Sequence, residues 1–289
     1  MWWYTQPVPY FCCVKLLTLF IDFLLKTSLF TACCATALCV ATGSLINNGI
    51  PPVFSPVHIL VFGSTLLVYN APRLLPGPYG RQRPPHKLKP WYRLSFFAGI
   101  IITAMGLWHM PMRMLITSAV LGLLAFAYYL PLLPFKNKKR IRDIGWLKIS
   151  VLAIVWTTAT AILPIVYWQR SLAGYPLEVL IRFVFIFILC VVFDIRDVRT
   201  DIKNNIHTLP HTVGIGNSYR LINAGLVVFC ALSVAQYVRY PVPQRLVGAL
   251  LTAVITWGVV AYIRRRPSER AYLVLADGVM LVYALLVMM

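Results

Sequence analysis

The chain has eight carboxylate side chains in 289 residues, and three of them, Asp194, Asp197 and Asp201, fall within one eight-residue stretch. They follow directly on the apolar run Phe183 to Phe193. On a helix their offsets place all three within an arc of about 60°, with Arg196, Arg199 and Lys203 on the other side. Three carboxylates on one face repel one another unless a cation or a set of donors sits among them. Hard oxygen ligands with coordination positions left open suit Mg2+ holding a phosphorylated substrate. The same spacing also fits a solvated helix end whose acids pair with the neighbouring arginines.

Composition says what must position this cluster. Hydrophobic residues make up 60% of the chain and charged residues 12%, against about 25% charged in a soluble domain. Mean hydropathy is +0.76. A water-facing globule of this size cannot hide so much apolar side chain. A disordered chain, a secreted disulfide scaffold and a nucleic-acid-binding globule are excluded. The expected fold is all-α, a polytopic membrane protein with about nine transmembrane helices in a single bundle. Apolar spans lie near 26–46, 54–73, 92–108, 112–133, 145–167, 176–194, 218–238, 242–263 and 270–288. Residues 1–25 lack a basic leader and a small-residue cleavage site, and read as an interfacial N-terminal segment. Residues 26–289 form the bundle.

The formal net charge is +19, and its placement points to topology, with no nucleic-acid partner. The connections after spans 2, 4, 6 and 8, with the span ends beside them, hold 6, 6, 4 and 4 Lys or Arg. Lys15 and Lys26 bring that side to 22 of the 27. Arg113, Arg170, Arg182, Arg239 and Arg245 make up the other side. This bias predicts a cytoplasmic N-terminus and places Asp194 to Asp201 at a cytoplasmic opening. Anionic lipid headgroups are the natural partners of the basic runs. The seven cysteines show no metal-ligand spacing with histidine and read as small apolar packing residues. Asp277, some seven residues into the last span, is expected to face the bundle interior. His58 and His109 read as interfacial, and the Trp and Tyr residues cluster near span ends as an aromatic belt.

The stretch D-I-R-D-V-R-T-D-I-K-N-N-I-H-T-L-P-H-T-V-G from Asp194 to Gly214 resembles the second aspartate motif of the UbiA-type intramembrane prenyltransferases. The three aspartates, Thr208-Leu209 and Gly214 stand at that family's spacing, and Asn205 stands where a glycine is usual. Lys148 and Trp156 in the fifth span, Pro164 at its far end and Asp277-Gly278 in the last span are looser matches. The first motif departs from the pattern. Asn70 matches a leading asparagine, but Ala71, Leu74 and Pro78 stand at the aspartate positions. The loop that follows is basic, with Arg73, Arg81, Arg83, Lys87 and Lys89.

The resemblance implies a prenyltransferase that moves an isoprenyl group from its diphosphate to a lipophilic or aromatic acceptor within the lipid bilayer, and the expected membrane is a bacterial inner membrane. It implies Mg2+ as cofactor, with Asp194, Asp197 and Asp201 as catalytic and metal-holding residues. Asn70, Arg73, Lys148 and Asn205 would bind the diphosphate. With no carboxylates in the first motif the site is lopsided, its second half made of cations that bind phosphate directly. A non-catalytic relative that binds a lipid or serves as a scaffold is the alternative. A transporter is disfavoured, because the two halves of the chain show no internal repeat.

Overall fold

The structure is a computed structural model that describes residues 10–47, 54–74, 90–129, 145–203, 206 and 208–289. Among them there are helices and no strands. In chain order these are α1 (Tyr10–Lys26), α2 (Leu29–Ile46), α3 (Pro56–Leu74), α4 (Pro90–Trp108) and α5 (Met112–Tyr129). Next come α6 (Gly145–Thr157) and α7 (Leu163–Tyr167), joined into one rod by a π-helical turn at Thr158–Ile162. Then follow α8 (Pro176–Lys203), the short α9 (Leu209–Val213), α10 (Ile215–Arg239) and α11 (Pro243–Arg265). The last rod is α12 (Glu269–Ala271) and α13 (Asp277–Met288), again joined by a π-helical turn, Tyr272–Ala276. Both π turns fall inside expected spans, where the apolar pattern gives no sign of them.

Each expected span has a helix at its position. Among the described residues seven rods are long and apolar enough to cross a membrane, and Met112–Ala125 is a shorter apolar stretch. The chain is an integral, multi-pass membrane protein. One boundary differs from expectation. The apolar pattern starts the first span at residue 26, but the helix breaks at Thr27–Ser28, where Ser28 adopts a left-handed φ of 62°. The Thr27 hydroxyl donates to the Phe23 carbonyl at 2.7 Å, which closes α1 before α2 begins. The apolar run is continuous across this corner, so periodicity alone carries no mark of it.

α2 is apolar on all sides and largely buried, whereas α4 turns most of its surface outward. α8 is the other central element, packed against α6 and α10. α3 and α4 form the tightest pair. A Cβ at Gly63 would lie 2.5 Å from the Thr103 amide nitrogen, and one at Gly99 would lie 2.7 Å from that of Leu67. With no hydrophobic force between helices in lipid, such close backbone approach supplies the van der Waals contact that holds them together. α8 matters most for function. Its 28 residues span about 42 Å, against about 30 Å of hydrocarbon. The surplus turns at its C-terminal end carry Asp194, Asp197 and Asp201.

Candidate functional site

The three aspartates do not share one environment. Lys148, in the first turn of α6, places its ammonium 2.7 Å from Asp194 Oδ1 and 3.0 Å from Asp201 Oδ2. Asp194 and Asp201 lie seven residues apart, two turns along α8, so their side chains reach the same point beside α6. All three side chains are buried or nearly so, at 15%, 3% and 12% exposure for Lys148, Asp194 and Asp201. Asp197 turns away. Its two oxygens accept from Arg196 Nε at 2.7 Å and Arg196 Nη2 at 3.0 Å. The sequence had offered two readings of the acidic face, cation binding and pairing with neighbouring arginines. Asp197 takes the second arrangement, and Asp194 and Asp201 take neither, since both pair with Lys148 of α6.

Two polar atoms here are buried and unpartnered among the described residues, Asp194 Oδ2 and Thr208 Oγ1. The chain after α8 folds back on itself, with the Ile206 amide donating to the Asp201 carbonyl at 2.9 Å. Thr208 then starts α9, its carbonyl accepting from the His211 and Thr212 amides. The sequence marked Thr208 only through the family spacing. Its buried hydroxyl is a tertiary feature that composition could not indicate. Asn205 lies outside the described residues.

Among the described residues no three His, Cys, Asp or Glu side chains are grouped as a ready metal cage. Mg2+ needs no such cage, since it is commonly held by one or two carboxylates plus substrate phosphates and water. Asp194 and Asp201 already converge on a cation, the Lys148 ammonium, and Asp194 Oδ2 has a spare lone pair in a buried position. This donor set fits one Mg2+ shared with a phosphorylated ligand.

Asn70 and Arg73 are brought together, but at the α1–α2 corner. Asn70 is fully buried, and its Nδ2 donates to the Thr27 carbonyl at 3.0 Å and to the Leu66 carbonyl at 2.8 Å. Arg73 Nη1 donates to Asn70 Oδ1 at 3.0 Å and to the Lys26 carbonyl. The Arg73 guanidinium also lies 4.9 Å from the centre of the Tyr92 ring. These side chains therefore satisfy the exposed carbonyls at the end of α1, a structural duty the sequence did not reveal. Arg73→Ala should loosen α1 by about 1 kcal/mol. Hydrogen exchange over residues 18–28 should rise accordingly. Weaker diphosphate binding with unchanged exchange there would instead assign Arg73 to the ligand.

α1 is latched at a second point, where Asp22 Oδ2 accepts from Lys26 at 3.1 Å and from Arg270 of α12 at 2.8 Å. Lys26 first, with Arg270, holds the Asp22 carboxyl below its ordinary value, so the latch stays charged at neutral pH. Asp277 is buried, as expected, and accepts from the Thr31 hydroxyl of α2 at 2.9 Å. Trp156 is buried with Tyr69 edge-on to it at 6.2 Å. His58, expected at an interface, has no exposed surface. Its Nδ1 accepts from the Ser55 amide at 3.0 Å, and Phe54 and Trp168 cover the ring.

No protein-family model and no curated protein matches the sequence. Solved structures do match the fold. A UbiA homologue from Archaeoglobus fulgidus bound to Cd2+ superimposes with a TM-score of 0.57 at 10% identity, over 90% of this chain and 98% of that one. A structure of a UbiA homologue from Archaeoglobus fulgidus bound to GPP and Mg2+ gives 0.58 at 13% identity, over 93% and 99%. A structure reported for digeranylgeranylglyceryl phosphate synthase gives 0.54 at 13% identity, over 92% and 96%. Coverage near the full length of both partners means that the whole bundle matches and not a few helices. The chain has the UbiA-type fold.

Proposed function

We propose that this chain is an intramembrane prenyltransferase that moves an isoprenyl group from its diphosphate to a lipophilic or aromatic acceptor. The observation that carries the reading is the Lys148 ammonium held between Asp194 and Asp201 at the end of α8, in a fold shared with a GPP-bound UbiA homologue. Lys148 has three N–H donors and uses two on the carboxylates, which leaves one for a diphosphate oxygen. Mg2+ held by Asp194 and Asp201, joined by Asp197 on release from Arg196, would when bound neutralise charge on the leaving diphosphate. Asn205, from the segment after α8, is proposed as a further diphosphate donor.

The C–O bond to the diphosphate breaks with its electron pair leaving on oxygen. The allylic cation left behind is shielded by the apolar bundle from water that would quench it. The nucleophilic atom of the acceptor forms the new bond and gives up a proton. The charge bias further supports a cytoplasmic N-terminus and a cytoplasmic opening for this site. A cysteine introduced at Pro267 should then react only with membrane-permeant reagents. Ready labelling there from outside would overturn the orientation.

One observation favours a second reading. Each of the three acids already has a basic partner, Lys148 shared by two and Arg196 for the third, and the first motif has no carboxylates. A non-catalytic member that binds a prenyl lipid would look the same. Titration of the purified chain with geranyl diphosphate, with and without Mg2+, followed by product analysis over a panel of acceptors, separates the two. Mg2+-dependent binding with product formation is expected. Binding without product from any acceptor would support the second reading, and absence of binding under every condition would sink the first.

A further inference from the structure

The end of the bundle opposite the Lys148 cluster carries a second polar site. Glu178, in the first turn of α8, precedes Asp194 by 16 residues, about 24 Å along the helix. A cavity of about 250 Å³ opens there between the start of α8, the end of α10 and the start of α11. Its wall is mainly apolar, and the charged side chains lining it are Glu178, Arg239 and Arg245.

Glu178 is committed to the wall. It is 4% exposed, its Oε1 accepts from Arg182 Nη2 at 2.8 Å, and its Oε2 accepts from Gln236 Nε2 at 3.3 Å. Arg182 is itself buried and donates to the Leu38 carbonyl at 3.2 Å and to Thr42 Oγ1 at 3.1 Å. The Tyr240 hydroxyl donates to the Gly174 carbonyl at 3.1 Å. Arg239, exposed at the rim, reaches that same hydroxyl at 3.4 Å. Arg245 is different. It is half-buried and lies in electrostatic range of Glu178 and Tyr175, yet among the described residues it makes no hydrogen bond or ion pair. With Glu178 and Arg182 cancelling, the cavity is left with two uncompensated positive charges.

A guanidinium carries five N–H donors in a planar fork. Those of Arg245 are not sealed in the wall, so an acceptor entering the cavity can reach them. The complementary ligand is an oxyanion that can take two parallel N–H bonds, and phosphate has that geometry. We propose that this cavity is a phosphate-binding site, with Arg245 as its principal ligand and Arg239 at its rim. The apolar walls suit the phosphate of an anionic phospholipid arriving from the surrounding bilayer, and free phosphate offers the same chemistry. The proposal is independent of the reaction assigned to the Asp194 end.

The test uses the full chain, purified and delipidated in a non-ionic detergent. Fluorescent phosphatidylglycerol is the first probe and inorganic phosphate the second. Wild type should bind phosphatidylglycerol saturably, and Arg245→Gln should weaken binding roughly tenfold to a hundredfold. Leu246→Trp, which narrows the cavity without touching a charge, should weaken it too and serves if Arg245→Gln does not fold. Asp194→Asn should leave it unchanged, which separates this site from the other end. Thermal stabilisation of wild type, but not of Arg245→Gln, by inorganic phosphate alone would assign the free anion as the ligand. Equal phosphatidylglycerol binding by wild type and both cavity variants, or saturable binding of neither probe, would overturn the proposal.

Discussion

Lys148→Met is expected to destabilise the folded chain by about 3–5 kcal/mol, the usual consequence of removing one partner from a buried ion pair. The substitution keeps the length and apolar stem of the side chain and deletes the ammonium that faces Asp194 at 2.7 Å and Asp201 at 3.0 Å. What remains is two carboxylates aimed at one point with nothing between them, and each disfavours the ionised form of the other. The loss should be partly recoverable in two ways. Lys148→Met combined with Asp194→Asn should be more stable than Lys148→Met alone, because the second change removes the repulsion the first exposed. Added Mg2+ should raise the melting temperature of Lys148→Met more than that of wild type, since a cation that binds only the folded state stabilises it by mass action. Thermal unfolding in detergent, with and without millimolar Mg2+, reads both effects. If Lys148→Met melts with wild type, the ammonium is not what compensates these acids. If Mg2+ does nothing for the variant, the two carboxylates are not a cation site.

This pairing also shows what the sequence makes legible and what it leaves hidden. The common face of Asp194 and Asp201 is a local property of helix geometry and could be read directly. That Lys148 completes it depends on α6 and α8 packing side by side, which brings together residues 53 positions apart in a way no local pattern contains. Only the family resemblance drew attention to Lys148. The same resemblance put Asn70 and Arg73 at the diphosphate, while the structure shows them holding the carbonyls of Thr27 and Lys26. The apolar spans were legible as a pattern because hydrocarbon demands long apolar runs. The corner at Ser28 and the two π turns were not, because they change backbone path without changing composition. Arg182 is the clearest case on the charge side. It counts in the sequence as one of the few cations away from the basic side, yet it is 1% exposed and paired inside the bundle with Glu178. The two lie four residues apart, a spacing that permits the ion pair but equally permits two solvated side chains.

Asp194→Asn is expected to lower prenyl transfer by roughly a hundredfold or more, the scale seen when one group that stabilises developing charge is removed from a water-excluded site. Asparagine keeps the shape and one carbonyl-type oxygen, so the change is confined to charge. Lys148 keeps Asp201 as its counter-ion, so stability should change little. The atom most affected is Asp194 Oδ2, buried and unpartnered among the described residues. In the proposed site this is the atom that would take the cation. Asp197→Asn provides the contrast. The Asp197 side chain is 37% exposed and held by both arms of Arg196, so any part it takes in cation binding requires leaving that partner first. Its loss should cost turnover less than the loss of Asp194, and should release Arg196. Mg2+-dependent binding of geranyl diphosphate, measured beside turnover for both variants, decides the division of labour. Equal, large losses in the two variants would mean that all three aspartates act as one unit and that Asp197 swings inward when ligand arrives. Full activity in Asp194→Asn would remove the α8 acids from the chemistry and leave them as the counter-charge that buries Lys148.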